Sequence, residues 1–317
     1  MRFSCSLPVD DIGDFGGTSD NGFLSIAGIS EMAVAIERAG LDATFVTDHP
    51  APSRRWLDGG GHATLDPFVV LSVAAAATTR LRLHSHILVL AYRNPFIVAK
   101  AVASLDRLSG GRFQMGIGTG YLKPEYAAVG VPFAERGALT DEAIKVLRMA
   151  WSGEPVSHKS TWFEARDTCV LPTPVQTPLP IWAGGNSNRA IRRAVQLCEG
   201  WCPFPVSGAV STTTRTEELS SLDQLREKMQ FAKDLCEQLG RTTPLVVCMA
   251  LFGHTTMKPG ERAAAAKLID DYAALQEAGV SWTTVSVPSP SRAAFIENVQ
   301  WFGEEVAAKV PARPDGQ

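Results

Sequence analysis

The sequence predicts an α/β fold, a closed (β/α)8 barrel with one insertion after its fourth helix. Three observations carry that prediction. Apolar strand patterns alternate with amphipathic helix patterns almost from end to end of the 317-residue chain, the order expected of parallel strands joined by helical crossovers. Several helices close on glycine (Gly110, Gly240, Gly279), as C-caps do. The segment Leu81 to Gly120 reads strand, crossover helix, strand, and its second strand ends in a glycine run. An open doubly wound sheet is the competing arrangement, and the count of eight strands favours the barrel.

The elements follow in order. Arg2 to Leu7 is the first strand. After a Gly/Asp-rich loop, Ser30 starts a helix carrying Ala33, Ile36 and Ala39, and Gly40 ends it. Ala43 to Thr47 is the second strand, ending at Asp48-His49. A long loop with Gly59-Gly60-Gly61 follows, then a helix opened by Asp66-Pro67. Leu81 to Leu90 is the third strand. Asn94-Pro95 breaks it, and Ile97, Ala101, Leu105 and Leu108 mark one face of the third helix. Arg112 to Gly120 is the fourth strand, and Gly137 to Trp151 the fourth helix. From Gly153 to Pro180 five prolines punctuate short β-like pieces, read as an inserted hairpin and extended segment. Leu179 to Ala183, Trp201 to Phe204, Leu245 to Phe252 and Trp282 to Val287 complete the strands. Ser187 to Leu197, Leu219 to Leu239, Glu261 to Ala278 and Ala293 to Ala308 complete the helices. The chain thus reads as one barrel domain over 1–310, with 311–317 a disordered tail.

Composition narrows the function. Hydrophobic residues make up 45% and charged residues 20%, with a net charge of −3 and no long basic run, so nucleic acid is not an expected partner. The N-terminus lacks the apolar core of a signal peptide, and no apolar run approaches the roughly 20 residues of a membrane span. The cytoplasm is the expected compartment. The cysteines are scattered. Only Cys198 and Cys202 are close, with no second Cys or His pair beside them, so zinc is not expected and buried reduced thiols are.

In a barrel the C-terminal strand ends share one mouth. At the fifth strand, Gly184-Gly185 let a ligand approach the backbone, and Asn186 or Ser187 can cap the following helix. A helix N-terminus there suits phosphate, and Arg189, Arg192 and Arg193 add positive charge; a well-capped tight turn is the plain alternative. Gly116-Ile117-Gly118-Thr119-Gly120 lacks the spacing of a dinucleotide fingerprint, but leaves room for a flat ring. His49 is a candidate acid or base, oriented by a carboxylate such as Asp48; adjacent strand residues point to opposite faces, so the two do not pair directly. A structural histidine is the alternative. His84 and His86 share a strand face, yet no third ligand suggests itself, so packing or cofactor contact is expected rather than a metal. The tryptophans at 56, 162, 182 and 201 line a pocket or, by default, fill the core.

Six motifs in order resemble the luciferase-like superfamily of flavin and deazaflavin oxidoreductases, and within it the branch that uses coenzyme F420. They are the stretches Ala39 to His49, Tyr92 to Phe96, Leu105 to Phe113, Gly130 to Gly137, Pro180 to Ser187, and Glu199 to Trp201. The resemblance covers residues 1–205 and implies a (β/α)8, or TIM, barrel with the cofactor ring in its mouth. It implies a non-prolyl cis peptide at Ser85-His86 beneath the ring. It places Asp48 and His49 near the ring, with His49 the proton donor or substrate contact. It sets Gly118, Thr119 and Gly120 against the cofactor side chain, and Gly184, Gly185, Asn186 and Ser187 around its phosphate. One departure stands out: some sugar-phosphate dehydrogenases of this group carry a glutamate directly after Gly-Thr-Gly, where this chain has Tyr121. The resemblance therefore implies hydride transfer between F420 and a small organic substrate, without naming that substrate. An FMN-dependent monooxygenase and a non-catalytic flavin-binding protein are the alternatives, and a homodimer is the family expectation.

Overall fold

The structure is a computed structural model that describes residues 1–9, 22–253 and 259–311. Eight parallel strands form one sheet: β1 (Arg2–Ser6), β2 (Ala43–Val46), β3 (Arg82–Val89), β4 (Phe113–Gly118), β7 (Ile181–Gly184), β8 (Gly200–Cys202), β9 (Val246–Val247) and β10 (Trp282–Val285). Their spatial order is β10-β1-β2-β3-β4-β7-β8-β9. The ring closes through a parallel bridge between Cys248 and Trp282, where the Met249 N–H donates to the Trp282 carbonyl at 3.1 Å. The (β/α)8 barrel is thus present. The insertion is the antiparallel hairpin of β5 (Val156–Lys159) and β6 (Glu164–Thr168), outside the barrel sheet.

The crossover helices are α1 (Ile26–Arg38), α3 (Pro67–Ala77), α4 (Pro95–Leu108), α6 (Arg136–Ala150), α7 (Asn188–Leu197), α9 (Leu222–Gln238), α10 (Arg262–Glu277) and α11 (Arg292–Glu305). Caps explain their starts. Asp66 Oδ1 accepts from the N–H groups of Phe68 and Val69, Asn94 Oδ1 from Phe96, and Ser187 Oγ from Ala190. The first helix begins four residues earlier than the sequence suggested. Ser25, not Ser30, is its N-cap and accepts from the Gly28 N–H at 3.0 Å. Three short helices sit in strand-to-helix loops and were not anticipated: α2 (Arg54–Asp58), α5 (Lys123–Ala128) and α8 (Gly208–Thr214). The seventh barrel strand is only two residues long, against the eight expected, because β9 pairs with β8 solely at Val246 and Val247. Of the expected tail, residues 312–317 lie outside the described residues. Among the described residues no helix is long and apolar enough to cross a membrane.

The main apolar layer lies between sheet and helices, where Phe3, Ile36, Leu71, Leu83, Met115 and Ile181 are buried. The bore is different. Trp182 and Trp282 pack edge to face across it at 5.3 Å, beside Ala43, Cys202 and Cys248. His84 and His86 also face inward, with ring centres 5.0 Å apart, and neither ring nitrogen of His84 has a hydrogen-bond partner.

Candidate active site at the barrel mouth

A cavity of about 560 Å³ opens at the C-terminal strand ends. It is lined by Asp48, His49, His86, Gly118, Thr119, Gly120, Gly184, Gly185, Asn186 and Ser187, so the structure gathers nearly every residue singled out from the sequence. Ser85 is the exception. The cis peptide lies one bond later, at His86–Ile87, and the register with β4 shifts between Ser85 and Leu88. His84 and His86 keep the inward face while the Ser85 hydroxyl donates to the Gly116 carbonyl at 3.0 Å. Ser85 therefore holds the bulge from behind and does not line the cavity.

Ile87 is the residue the bulge presents. A Cβ on Gly184 would lie 2.3 Å from Ile87 Cδ1, and one on Gly118 would lie 3.0 Å from Ile87 Cγ2. These two glycines make a notch that seats Ile87, and the Ile87 side chain then forms part of the cavity floor. A flat ring resting on this floor would meet a branched aliphatic group. Gly120 is bare for a third reason: its φ is +64°, and a Cβ would approach Val89 Cγ1 to 2.7 Å. The glycines thus serve the bulge first and reach the ligand through it.

Asp48 and His49 take separate partners. Asp48 is 4% exposed and accepts from the Val89 N–H at 2.9 Å and from both Arg93 terminal nitrogens. Burial pushes its carboxyl up, against the pull of Arg93. With its oxygens held this way, Asp48 anchors the β2 end to the start of α4, and the carboxylate that orients His49 is a different one. His49 Nδ1 instead lies 3.3 Å from both oxygens of Glu125, on α5. Glu125 is fully buried. Its Oε2 also accepts from the Tyr92 hydroxyl at 2.8 Å and its Oε1 from the Ala51 N–H at 3.3 Å. Burial, then Glu125, pushes the Tyr92 phenol far up, so it stays a donor. In its carboxylate form Glu125 is acceptor-only, so Nδ1 carries the proton and the other ring nitrogen is left with a lone pair.

Sequence reasoning missed Glu125. The available signal was Lys123-Pro124-Glu125, a proline and an acid in the first turn of a short helix. Around His49 stand His62, Trp56 and Tyr121, with ring centres at 4.8, 5.8 and 6.0 Å. Trp56 therefore packs behind His49, His62 and Tyr121, whereas Trp182 and Trp201 are core.

The other end of the cavity is polar. Gly185, at φ +115°, hands the chain to α7, whose N-cap is Ser187. The unpaired N–H groups of that first turn border the cavity, as an anion site requires. Asn186 contributes backbone only. Its side chain donates to the carbonyls of Phe204 and Glu217, both at 2.7 Å, and accepts from the Phe204 N–H. Arg193 is buried on Asp141 and the Gly137 carbonyl, and Arg189 lies 3.5 Å from Asp141. Arg192, expected here, turns away and stacks on Phe231 at 5.2 Å. These features suit a phosphate-bearing flavin or deazaflavin: Ile87 would lie against its ring, and the start of α7 would hold its phosphate.

The bore supplies a third neighbour for the histidine pair that the sequence did not suggest. Ligand atoms of His84, His86 and Cys202 lie within 4.8 Å of one another. Burial pushes the His86 imidazole down to about 4, and burial together with its neighbour His86 pushes His84 well down, so both rings are neutral.

A family model described as luciferase-like monooxygenase matches residues 1–220. The chain belongs to the luciferase-like family. It is 30% identical over 302 residues to an uncharacterized protein of Mycobacterium tuberculosis, covering 88% of this chain and 94% of that one. It is 36% identical over 218 residues to an F420-dependent glucose-6-phosphate dehydrogenase of Amycolatopsis mediterranei, covering 67% of this chain and 62% of that one. Similar solved folds include monooxygenase RslO1 of Streptomyces bottropensis, with TM-score 0.76, 18% identity, and coverage of 97% and 99%. An F420-dependent secondary alcohol dehydrogenase in complex with an F420-acetone adduct superposes with TM-score 0.73, 18% identity, and coverage of 98% and 99%. Membership of this luciferase-like oxidoreductase and monooxygenase family marks the chain as an enzyme.

Proposed function

We propose that this luciferase-like enzyme is an F420-dependent oxidoreductase that moves a hydride between the deazaflavin C5 and a small organic substrate. The observation that carries the reading is the His49–Glu125 pair beside the ring floor. When bound, a deazaflavin supplies a carbon centre that accepts or gives a hydride and reacts poorly with oxygen. Oxidation of an alcohol also needs its hydroxyl proton removed, and reduction of a carbonyl needs one supplied. His49 holds Nδ1–H on Glu125, so its second nitrogen takes the hydroxyl proton in one direction. In the other direction the imidazolium returns it, and the Glu125 charge stabilises the cation in between. Trp56, His62 and Tyr121 surround His49 and exclude water from the transfer. The F420-dependent relative of Amycolatopsis mediterranei supports the cofactor assignment.

The second reading is an FMN monooxygenase, favoured by the likeness in fold to RslO1. Fluorescence titration of the purified protein with F420 and with FMN separates the two. The proposal expects saturable F420 binding; tight FMN binding with no F420 response would sink it. A cytoplasmic homodimer belongs to the same proposal, with the exposed Val69 on α3 and Ile97 and Leu108 on α4 as apolar surface to cover.

A further inference from the structure

The bore beneath the mouth carries buried polar atoms that the hydride chemistry does not use. Among the described residues, neither ring nitrogen of His84 has a hydrogen-bond partner, nor has His86 Nδ1, and His84 is fully buried. Folded proteins seldom leave such atoms bare, so each calls for a water or an ion. Sulfur stands beside them. Ligand atoms of His84, His86 and Cys202 lie within 4.8 Å of one another. The Cys248 thiol, one residue beyond β9, is in hydrogen-bond contact with that of Cys202.

The spacing suits one small ion. Three atoms no more than 4.8 Å apart share a centre at most about 2.8 Å from each, against bonds of about 2.0–2.3 Å from zinc to nitrogen and sulfur. Side-chain movements of roughly 0.5–0.8 Å therefore close the site. A water could satisfy the imidazoles alone; two neutral imidazoles converging with a thiol are the donor set of a thiophilic ion. Gln114 stands beside His84 in the β3–β4 register, and its Oε1 is buried without a partner among the described residues. A ligating imidazole needs such an acceptor for its other nitrogen. His86 and Cys202 also border the cavity, which gives an ion a way in.

Charge balance narrows the ion. Beside Trp182, Trp282 and Ala43 a net charge is costly. One thiolate neutralises Cu⁺ and two neutralise Zn²⁺, so Cys202 alone or Cys202 with Cys248 gives a neutral site. Burial pushes the Cys202 thiol well up, so the metal must take the place of its proton, which leaves to solvent. We propose that the bore binds one thiophilic d10 ion, Zn²⁺ or Cu⁺, on His84, His86 and Cys202, with Cys248 as fourth ligand for Zn²⁺. The ion ties β3 to β8 across the bore, with β4 and β7 between them in the sheet. It sits next to the two-residue β9, where the ring closes through the Cys248–Trp282 bridge. The site does not depend on which cofactor fills the mouth.

The test is metal analysis of the tag-free full chain, stripped by chelator in a thiol-free reductant. It is then dialysed against micromolar Zn²⁺, or against Cu⁺ without oxygen. One ion per chain is expected, and the melting temperature should rise by about 4 °C when free ion stands a hundredfold above Kd. Co²⁺ in place of Zn²⁺ is expected to show the visible bands of tetrahedral coordination and the near-ultraviolet absorption of thiolate ligation. Cys202→Ser and His84→Gln are expected to weaken binding at least about a hundredfold. Cys169→Ser, at the exposed thiol, should leave it unchanged. Melting curves of the metal-free variants establish that they fold, and the Co²⁺ spectrum of the parent decides the matter if they do not. Binding of Cu⁺ alone would support the three-ligand form, and binding of Zn²⁺ with release of two protons the four-ligand form. No bound ion of either kind would overturn the site and leave the histidines to water. Full binding in both Cys202→Ser and His84→Gln would also overturn it, by placing the metal elsewhere.

Discussion

Replacing Glu125 by glutamine isolates the charge behind His49. The amide fits the same buried space. Its carbonyl can take the place of Oε1, keeping the Ala51 N–H and the His49 Nδ1–H, while its NH2 turns to the Tyr92 oxygen. Orientation survives and only the negative charge is lost. At 3.3 Å and an effective dielectric constant of about 20, the full Coulomb attraction between imidazolium and carboxylate is about 5 kcal/mol, an upper bound. Hydrogen bonds to charged groups contribute roughly 1.5–3 kcal/mol net, so a loss of about 2–3 kcal/mol of transition-state stabilisation is reasonable. That corresponds to a rate about 30- to 150-fold lower. The assay is anaerobic stopped-flow reduction of the bound cofactor by a reactive alcohol. Cofactor affinity is expected to stay within about threefold, and stability within about 1 kcal/mol. Nitrogen-15 spectra of the histidines should retain the Nδ1–H tautomer of His49. A Glu125→Gln enzyme as fast as the parent would refute the role of the carboxylate charge, and a loss of rate matched by a collapse in melting temperature would make Glu125 merely structural.

Three further outcomes follow from the same geometry. Asp48→Asn leaves Arg93 with only the more exposed Asp66, 3.3 Å away, and is expected to cost about 2–4 kcal/mol in urea denaturation; a change below about 0.5 kcal/mol would show that the ion pair does not anchor β2 to α4. Folded His84 and His86 resist protons that the unfolded chain accepts near its ordinary value of 6.5. Because both folded values are depressed, stability should fall as pH drops below 6.5 and continue to fall to about 4. The slope tends toward about 2.7 kcal/mol per pH unit for two protons. Urea midpoints at several pH values measure it, and a flat profile between pH 7 and 5, or one unchanged in His84→Gln/His86→Gln, would contradict it. Gly116→Ala would place a Cβ 2.2 Å from the Ser85 carbonyl oxygen and should lower stability by about 2–3 kcal/mol, read as a melting-temperature shift; an unshifted transition would mean that the bulge yields freely.

Local signals were legible in the sequence, and relations between distant segments were not. Helix starts with Asp66, Asn94 and Ser187 could be read because a cap acts within three residues. The strand ends at His49, Gly118 and Gly184 could be read because a parallel barrel gathers them in one mouth. Glu125 could not, since its partner His49 is 76 positions away and the helix that carries it is only six residues long. The glycines were read as clearance for a ligand, whereas Gly118 and Gly184 clear Ile87, a side chain from β3, which lies next to the strand of Gly118 and two strands from that of Gly184. The bulge was placed one bond early because its place depends on how β3 registers with β4, and a single strand does not encode that.

Single-turnover oxidation of a small alcohol by the F420-loaded enzyme, run with and without oxygen, tests the central claim most directly. The account predicts full cofactor reduction under strict anaerobiosis, with a rate that does not change when oxygen is admitted and that collapses in His49→Ala while F420 stays bound. Turnover that requires oxygen, or that proceeds unchanged without His49, would contradict it.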